Sequence, residues 1–281
     1  MRRRQSVPRR LYSRASSLRS AHEENRFKTR LRSDAGGPDL LLSPHFDDAV
    51  LDCWSVLASE RAVSVVNVCG GVPAPGRLTQ WDAITGASDS AERTRERIAE
   101  DALALGRAAR EPHNLPFLDA QYRVAGSDDP SLEELDGAIS DAVATVARVH
   151  APAGVGAHPD HLLTRRYGRM LARAGIPVAL YAELPYCVLH GWPHWVDGRA
   201  PDAHRNVDAF WLAFLADVPE LGALRDAHVE RLDDEAAAAK LAAMSCYATQ
   251  LPALDYGAVR VLADPEIHRF EVRWELRAPG T

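Results

Sequence analysis

The sequence predicts an α/β protein: a three-layer sandwich built around a mostly parallel sheet. Three observations carry this. Apolar, β-branched runs alternate with helical periodicity over the first two thirds of the chain. An early strand–helix–strand unit, Asp39 to Cys69, implies a parallel pair with a right-handed crossover. Two acidic-histidine motifs, Pro44-His45-Phe46-Asp47-Asp48 and His158-Pro159-Asp160-His161, each follow an apolar run. They therefore fall at the carboxyl edge of the sheet, where such folds bind ligands.

The elements follow in order. Asp39 to Ser43 reads as a buried strand, Ala49 to Glu60 as a helix and Ala62 to Cys69 as a second strand ending at Gly70-Gly71. Val72 to Ser90, rich in Pro, Gly and polar residues, reads as a long loop, and loops of that length inside a domain are often functional. Ala91 to Arg110 is strongly helical, and Asn114 to Asp119 reads as a brief strand and turn. Ser131-Leu132-Glu133-Glu134 is a capping box opening a helix that should run to about Val149. A helix over Leu162 to Ala174 and a strand over Pro177 to Tyr181 come next. The last third offers an Ala-rich helix, Asp233 to Gln250, and an alternating run, Arg269 to Leu276, that suggests an edge strand.

At 281 residues, 46% hydrophobic and 26% charged, the chain reads as a soluble globular protein. Net charge is -6, which argues against nucleic-acid binding by the folded body, and no apolar run approaches a membrane span. The first 34 residues depart from that balance, with eleven Arg and Lys against three acids. Residues 1–37 are expected to form a basic, flexible tail and 38–281 a single domain. The tail lacks the apolar core of a secretion signal, so a cytoplasmic protein is expected. It reads either as a plain solvated tail or as a contact arm for an acidic surface. The four cysteines, Cys53, Cys69, Cys187 and Cys246, are widely spaced and read as reduced thiols, leaving metal ligation to His and carboxylate.

Each histidine motif has an ordinary reading: acids beside a helix N-terminus are favourable without any metal, and His-Pro-Asp-His fits a turn. Together they supply what a metal hydrolase needs. His45, Asp48 and His161 are the expected ligands of a catalytic zinc with one open position, although such donors suit other divalent ions too. Asp47 is then the general base. His158, expected as an imidazolium, stabilises the oxyanion, and Asp160 is its expected orienting partner.

At this point the chain resembles the PIG-L/LmbE-like family of zinc-dependent N-deacetylases. Pro44-His45-Phe46-Asp47-Asp48-Ala49 is similar to the family's PHPDDE motif, and His158 to His161 matches its HPDH motif. Supporting segments, among them Trp81 to Gly86, Arg97 to Asp101, Leu118 to Arg123, Tyr181 to Tyr186 and Tyr247 to Gln250, extend the resemblance over roughly residues 39 to 276. It implies a Rossmann-like fold and hydrolysis of an acetamide on an amino sugar or glycoconjugate; an amidase on a thiol-sugar conjugate and a silent sugar-binding relative are the alternatives. It also implies that Arg97 and Asp119 contact the sugar. Phe46 and Ala49 depart from the motif without touching a ligand or the base. The aromatic segment Val188 to Trp195 reads either as a lid or as a packed surface loop anchored by Trp, and Tyr186 before it as a pocket residue.

Overall fold

Five continuous buried residues, Asp39–Ser43, make β1, the centre of the sheet. Burial of every side chain is the mark of a parallel strand covered on both faces. In the computed structural model, which describes residues 37–124, 129–200, 204–255 and 260–277, the chain continues from β1 through α1 (Asp48–Asp52) and α2 (Trp54–Leu57) to β2 (Val63–Asn67). Then come α3 (Gln80–Ile84), α4 (Ser90–Gly106), β3 (Pro112–Asn114), α5 (Leu132–Val143) and β4 (Arg148–Pro152). The second half holds α6 (Pro159–Arg173), β5 (Val178–Tyr181), α7 (His194–Asp197), α8 (Val207–Leu215), β6 (His228–Arg231), α9 (Asp234–Met244), α10 (Leu251–Leu254) and β7 (Phe270–Glu275). The tail expected over 1–37 lies, but for Gly37, outside the described residues. Among them no helix is long and apolar enough to cross a membrane.

The seven strands form one sheet in the order β3-β2-β1-β4-β5-β7-β6. β3, β2, β1, β4 and β5 are mutually parallel, while β7 runs antiparallel to both β5 and β6. The α/β sandwich with a mostly parallel sheet is thus the observed architecture. The chain winds outward from β1 through β2 to β3, then returns to place β4 on the other side of β1. The crevice beyond the ends of β1 and β4 is the switch point at which such sheets bind ligands. The two histidine motifs leave those two strands.

Four local expectations need correction. The helix expected over Ala49 to Glu60 breaks at Cys53 (φ -134°, ψ 32°) into α1 and α2. The break frees the amides of Trp54 and Ser55, which donate to the buried Glu271 carboxylate at 2.7 and 3.0 Å, and Lys240 pairs with Glu271 at 3.0 Å. The helix begun by the Ser131 capping box stops at Val143, and β4 takes up the stretch assigned to its end. The long loop contains α3, whose N-cap Thr79 accepts from Asp82 N. Finally, β7 is an interior strand: β6, whose His-Val-Glu-Arg sequence gives no apolar signal, forms the sheet edge beyond it.

Candidate active site

The first motif turns sharply out of β1. Ser43, fully buried, donates its hydroxyl to His45 O at 2.6 Å and accepts from Ala49 N at 3.0 Å, which locks the turn between strand and α1. Asp47 occupies the N-cap position of α1, yet its side chain makes no capping bond. Its carboxylate lines the cavity instead, so the ordinary cap reading fails here. Asp48 turns back to accept from His45 N at 2.8 Å.

The second motif opens α6 with Pro159 in its first turn and His158 as N-cap. Its approach, Gly154 to Ala157, uses left-handed backbone at Gly154, Gly156 and Ala157. The Glu183 carboxylate gathers this loop by accepting from Gly154 N and, at 3.2 Å, from Val155 N.

The two motifs meet. His161 Nε2 lies 3.3 Å from His45 Nδ1 and 3.5 Å from Asp48 Oδ1, and His45 Nδ1 lies 3.4 Å from Asp48 Oδ2. The outer nitrogen of each ring is engaged by a carboxylate: His45 Nε2 by Asp160 at 3.0 Å, His161 Nδ1 by Glu183 at 3.3 Å. Donation at the outer nitrogens leaves the two inner ones as lone-pair donors converging with Asp48, the arrangement in which proteins hold a metal-ligating imidazole. His158 also approaches, with one ligand atom from each of His45, His158 and His161 within 4.8 Å of the others. The cluster can therefore hold a metal ion.

Electrostatics sort the groups. Burial and the Asp48 charge push the Asp47 carboxyl up to about 6. Burial alone would raise Asp48 as well, but His161 and His45 outweigh it and hold that carboxyl at about 2. His45 is raised well above its ordinary value because Asp119, Asp160 and Asp48 overcome its burial, and His161 rises likewise beside Asp48 and Glu183. The two rings thus sit where positive charge is strongly favoured.

Two expectations change. Asp160 serves His45, not His158: its carboxylate is 3.0 Å from the His45 ring and 3.9 Å from that of His158, and Arg123 and Ala120 N also hold it, at 2.6 and 2.9 Å. For His158 the expected imidazolium is disfavoured. Burial and the flanking His45 and His161 push it down to about 4, and its Nδ1 accepts from Asp160 N at 3.3 Å, leaving the proton on Nε2.

A cavity of about 340 Å³ opens over these groups, lined also by Phe46, Trp81, Arg97, Asp119, Tyr186 and Gln250. Arg97 is tied beneath to Asp82 at 2.9 Å, and Asp119 is held by the Gln121 backbone and side-chain amides at 3.0 and 2.9 Å. Both residues inferred from the resemblance therefore face the site. The Trp192–Trp195 segment does not. Trp192 is buried with its Nε1 donating to Ile267 O at 3.1 Å, and the segment borders a separate cavity, so the packed-loop reading holds. Glu183 was missed, although a lone acid within the apolar run Tyr181 to Leu184 demands a buried partner and was its signal.

No protein-family model matches the chain. Over 169 residues it is 36% identical to 2'-N-acetylparomamine deacetylase of Streptomyces fradiae, a match covering 53% of this chain. It spans 58% of the length of that curated relative. Among solved structures, the A40926 pseudoaglycone deacetylase aligns with a TM-score of 0.63 at 27% identity, covering 88% of this chain and 100% of that one. A triple mutant of a deacetylase of the teicoplanin biosynthetic pathway aligns with a TM-score of 0.64 at 25% identity, covering 87% of this chain and 100% of the other. Over these alignments, and in the sheet that carries them, the chain is similar to deacetylases.

Proposed function

We propose that the protein is a metal-dependent amidohydrolase that removes an acetyl group from an N-acetylated amino sugar or glycoconjugate. One observation carries the reading: the outer nitrogens of His45 and His161 are spent on buried carboxylates, while their inner nitrogens lie 3.3 Å apart and 3.4 and 3.5 Å from the two oxygens of Asp48. This donor set fits a divalent ion, and zinc suits it best. His45, Asp48 and His161 would hold the ion. Bound there, it supplies Lewis acidity, which polarises an amide carbonyl and makes water a nucleophile near neutral pH.

The chain's own residues do the rest. Asp47, with its carboxyl at about 6, is largely ionised at pH 7 yet basic enough to take the proton of the attacking water and pass it to the departing amine. His158 donates Nε2–H to the amide oxygen as charge develops on it. Asp160 and Glu183 fix the two imidazoles. Arg97 and Asp119 bind sugar hydroxyls, each pre-oriented by the partner that already holds it. The products are acetate and a free amine. The relative named for 2'-N-acetylparomamine supports an amino-sugar substrate class.

The test combines metal analysis with acetate release from a panel of N-acetyl sugars. Wild type should contain about one ion per chain and release acetate; Asp47→Asn should keep the ion and lose at least about 10²-fold in rate. Bound metal without acetate from any amide would point to a binding protein instead.

A further inference from the structure

Helix α8, Val207–Leu215, reads Val-Asp-Ala-Phe-Trp-Leu-Ala-Phe-Leu, with Asp208 its one polar residue. A helix apolar all round belongs inside a protein or against a partner. Only one face of α8 is inside. Val207, Trp211 and Leu215, at i, i+4 and i+8, are buried, and Trp211 Nε1 donates to Cys187 O at 2.7 Å, which seats the helix firmly. On the opposite face Ala209, Leu212, Ala213 and Ala216 are exposed, Leu212 by 51%. These positions, i, i+3, i+4 and i+7, are neighbours on a helix surface. Phe210 and Phe214 border them half-buried, their ring centroids 5.0 Å apart. The outer side of α8 is thus one continuous apolar surface turned away from the core.

The charges at its two ends say what covers it. Arg205 stands two residues before α8 and donates to His190 Nδ1 at 3.0 Å. Asp217 stands two residues after it, its side chain 63% exposed and held from behind by the buried Arg165 at 2.9 Å. A carboxylate accepts at about four lone-pair sites, so Asp217 keeps capacity for a further donor. The two charges are equidistant from Trp211, the midpoint of the helix. Each has the sign that the dipole of its own helix end disfavours. Turning a second copy over about a two-fold axis at that midpoint sets α8 antiparallel to α8. Each Arg205 then meets the other chain's Asp217, and each charge lies at the dipole end that suits it. An anionic membrane would meet Asp217 as well as Arg205, so the pattern favours self-pairing.

We propose that this face is the centre of an isologous interface, so that the protein forms a two-fold dimer paired antiparallel along α8. The alanines let the helix axes approach to about 8 Å. Leu212 packs beside the axis against its own copy, and the Arg205–Asp217 pairs at the rim fix the register. A helix face nine residues long is only part of the roughly 800 Å² that each partner contributes to a stable interface, so the dimer is weak and concentration-dependent.

Sedimentation velocity on the full chain tests this. Wild type should pass from the mass of one chain to that of two with a dissociation constant on the order of 10 µM. Leu212→Glu, Arg205→Glu and Asp217→Arg should each raise that constant at least about tenfold, with circular-dichroism melts showing which variants remain folded. An equimolar mixture of the last two is decisive. Each alone sets like charges opposite one another at both rim contacts, whereas the mixed dimer restores opposite charges at both, so its affinity should return to within about threefold of wild type. Should Asp217→Arg unfold for want of a partner for Arg165, Leu212→Glu decides alone. A wild type that stays monomeric, an association that Leu212→Glu leaves intact, or folded charge variants that stay apart when mixed overturns the proposal.

Discussion

Glu183→Gln tests how much of this site is held from behind. Glu183 is fully buried, and its carboxylate accepts from Gly154 N, Val155 N and His161 Nδ1. Glutamine keeps one acceptor oxygen and turns an NH2 group toward partners that are themselves donors. At least one buried N–H is left unsatisfied, a cost of about 1–3 kcal/mol. For a protein of this size each kcal/mol lowers the melting midpoint by about 2–4 °C, so the metal-free variant should melt about 2–12 °C below wild type. The larger effect belongs to the ion. Without the carboxylate, His161 is free to turn and its inner nitrogen is less basic; loss of such an outer partner typically weakens metal binding about 10–100-fold. Competition against a chelating dye measures that loss directly, with circular-dichroism melts alongside. A variant that binds metal within twofold of wild type and melts at the same temperature would refute the role given to Glu183. Glu183→Ala would be uninformative, since three orphaned donors approach the whole stability of a typical domain, about 5–15 kcal/mol.

Three further outcomes are expected. The Asp47 carboxyl is raised by burial to about 6 and works as the base form, so kcat/KM should fall as pH drops through about 6, with that limb missing from the residual activity of Asp47→Asn; a pH–rate series on both proteins checks it. His158→Phe should cost about 10²–10³ in kcat with metal content unchanged, and because burial and the flanking His45 and His161 push the His158 ring down to about 4, the wild-type profile should show no loss between pH 7 and 9 from its deprotonation. Lys240→Met removes the buried 3.0 Å ion pair to Glu271, leaving that carboxylate its Trp54 and Ser55 donors and Arg273 at 3.8 Å, and should destabilise the protein by up to about 3–5 kcal/mol, readable by denaturant unfolding, whereas an unchanged midpoint would show that the pair contributes no such stability.

The central strands were legible because burial on both faces leaves a dense apolar run, as in Leu40 to Leu42 and in Val65 and Val66. β4 was not. Arg148, His150 and Pro152 interrupt its pattern, and it follows α5 without a Gly or Pro stop. Only the fold reveals that His150 is buried against Asp39 at 3.2 Å. The break at Cys53 was hidden for a related reason: the carboxylate that receives the amides of Trp54 and Ser55 lies 217 and 216 residues away, on β7. Local periodicity cannot register a cap supplied from so far along the chain.

The site was more legible than its wiring. His45, Asp48, His158 and His161 converge from motifs more than a hundred residues apart because β1 and β4 are neighbours in the sheet. What the motifs do not encode is which acid serves which ring. Asp160 follows His158 by two residues but projects its carboxylate to His45, while its backbone amide donates to the ring of His158, the N-cap of α6. The adjacent acids of the first motif are likewise alike in sequence and unlike in place. Asp48 faces two imidazoles and a backbone amide, which hold it anionic; Asp47 faces the cavity, makes no capping bond, and has burial and its neighbour's charge to raise it. The flanking departures fit that contrast. Phe46 and Ala49 are both buried, one on the cavity wall and one in α1, so the residues on either side of the acid pair bring no charge of their own. An acid at position 49 would add a third carboxylate beside a pair whose separation into anion and base is set by its neighbours, His161 and His45 lowering Asp48 while burial and the Asp48 charge raise Asp47.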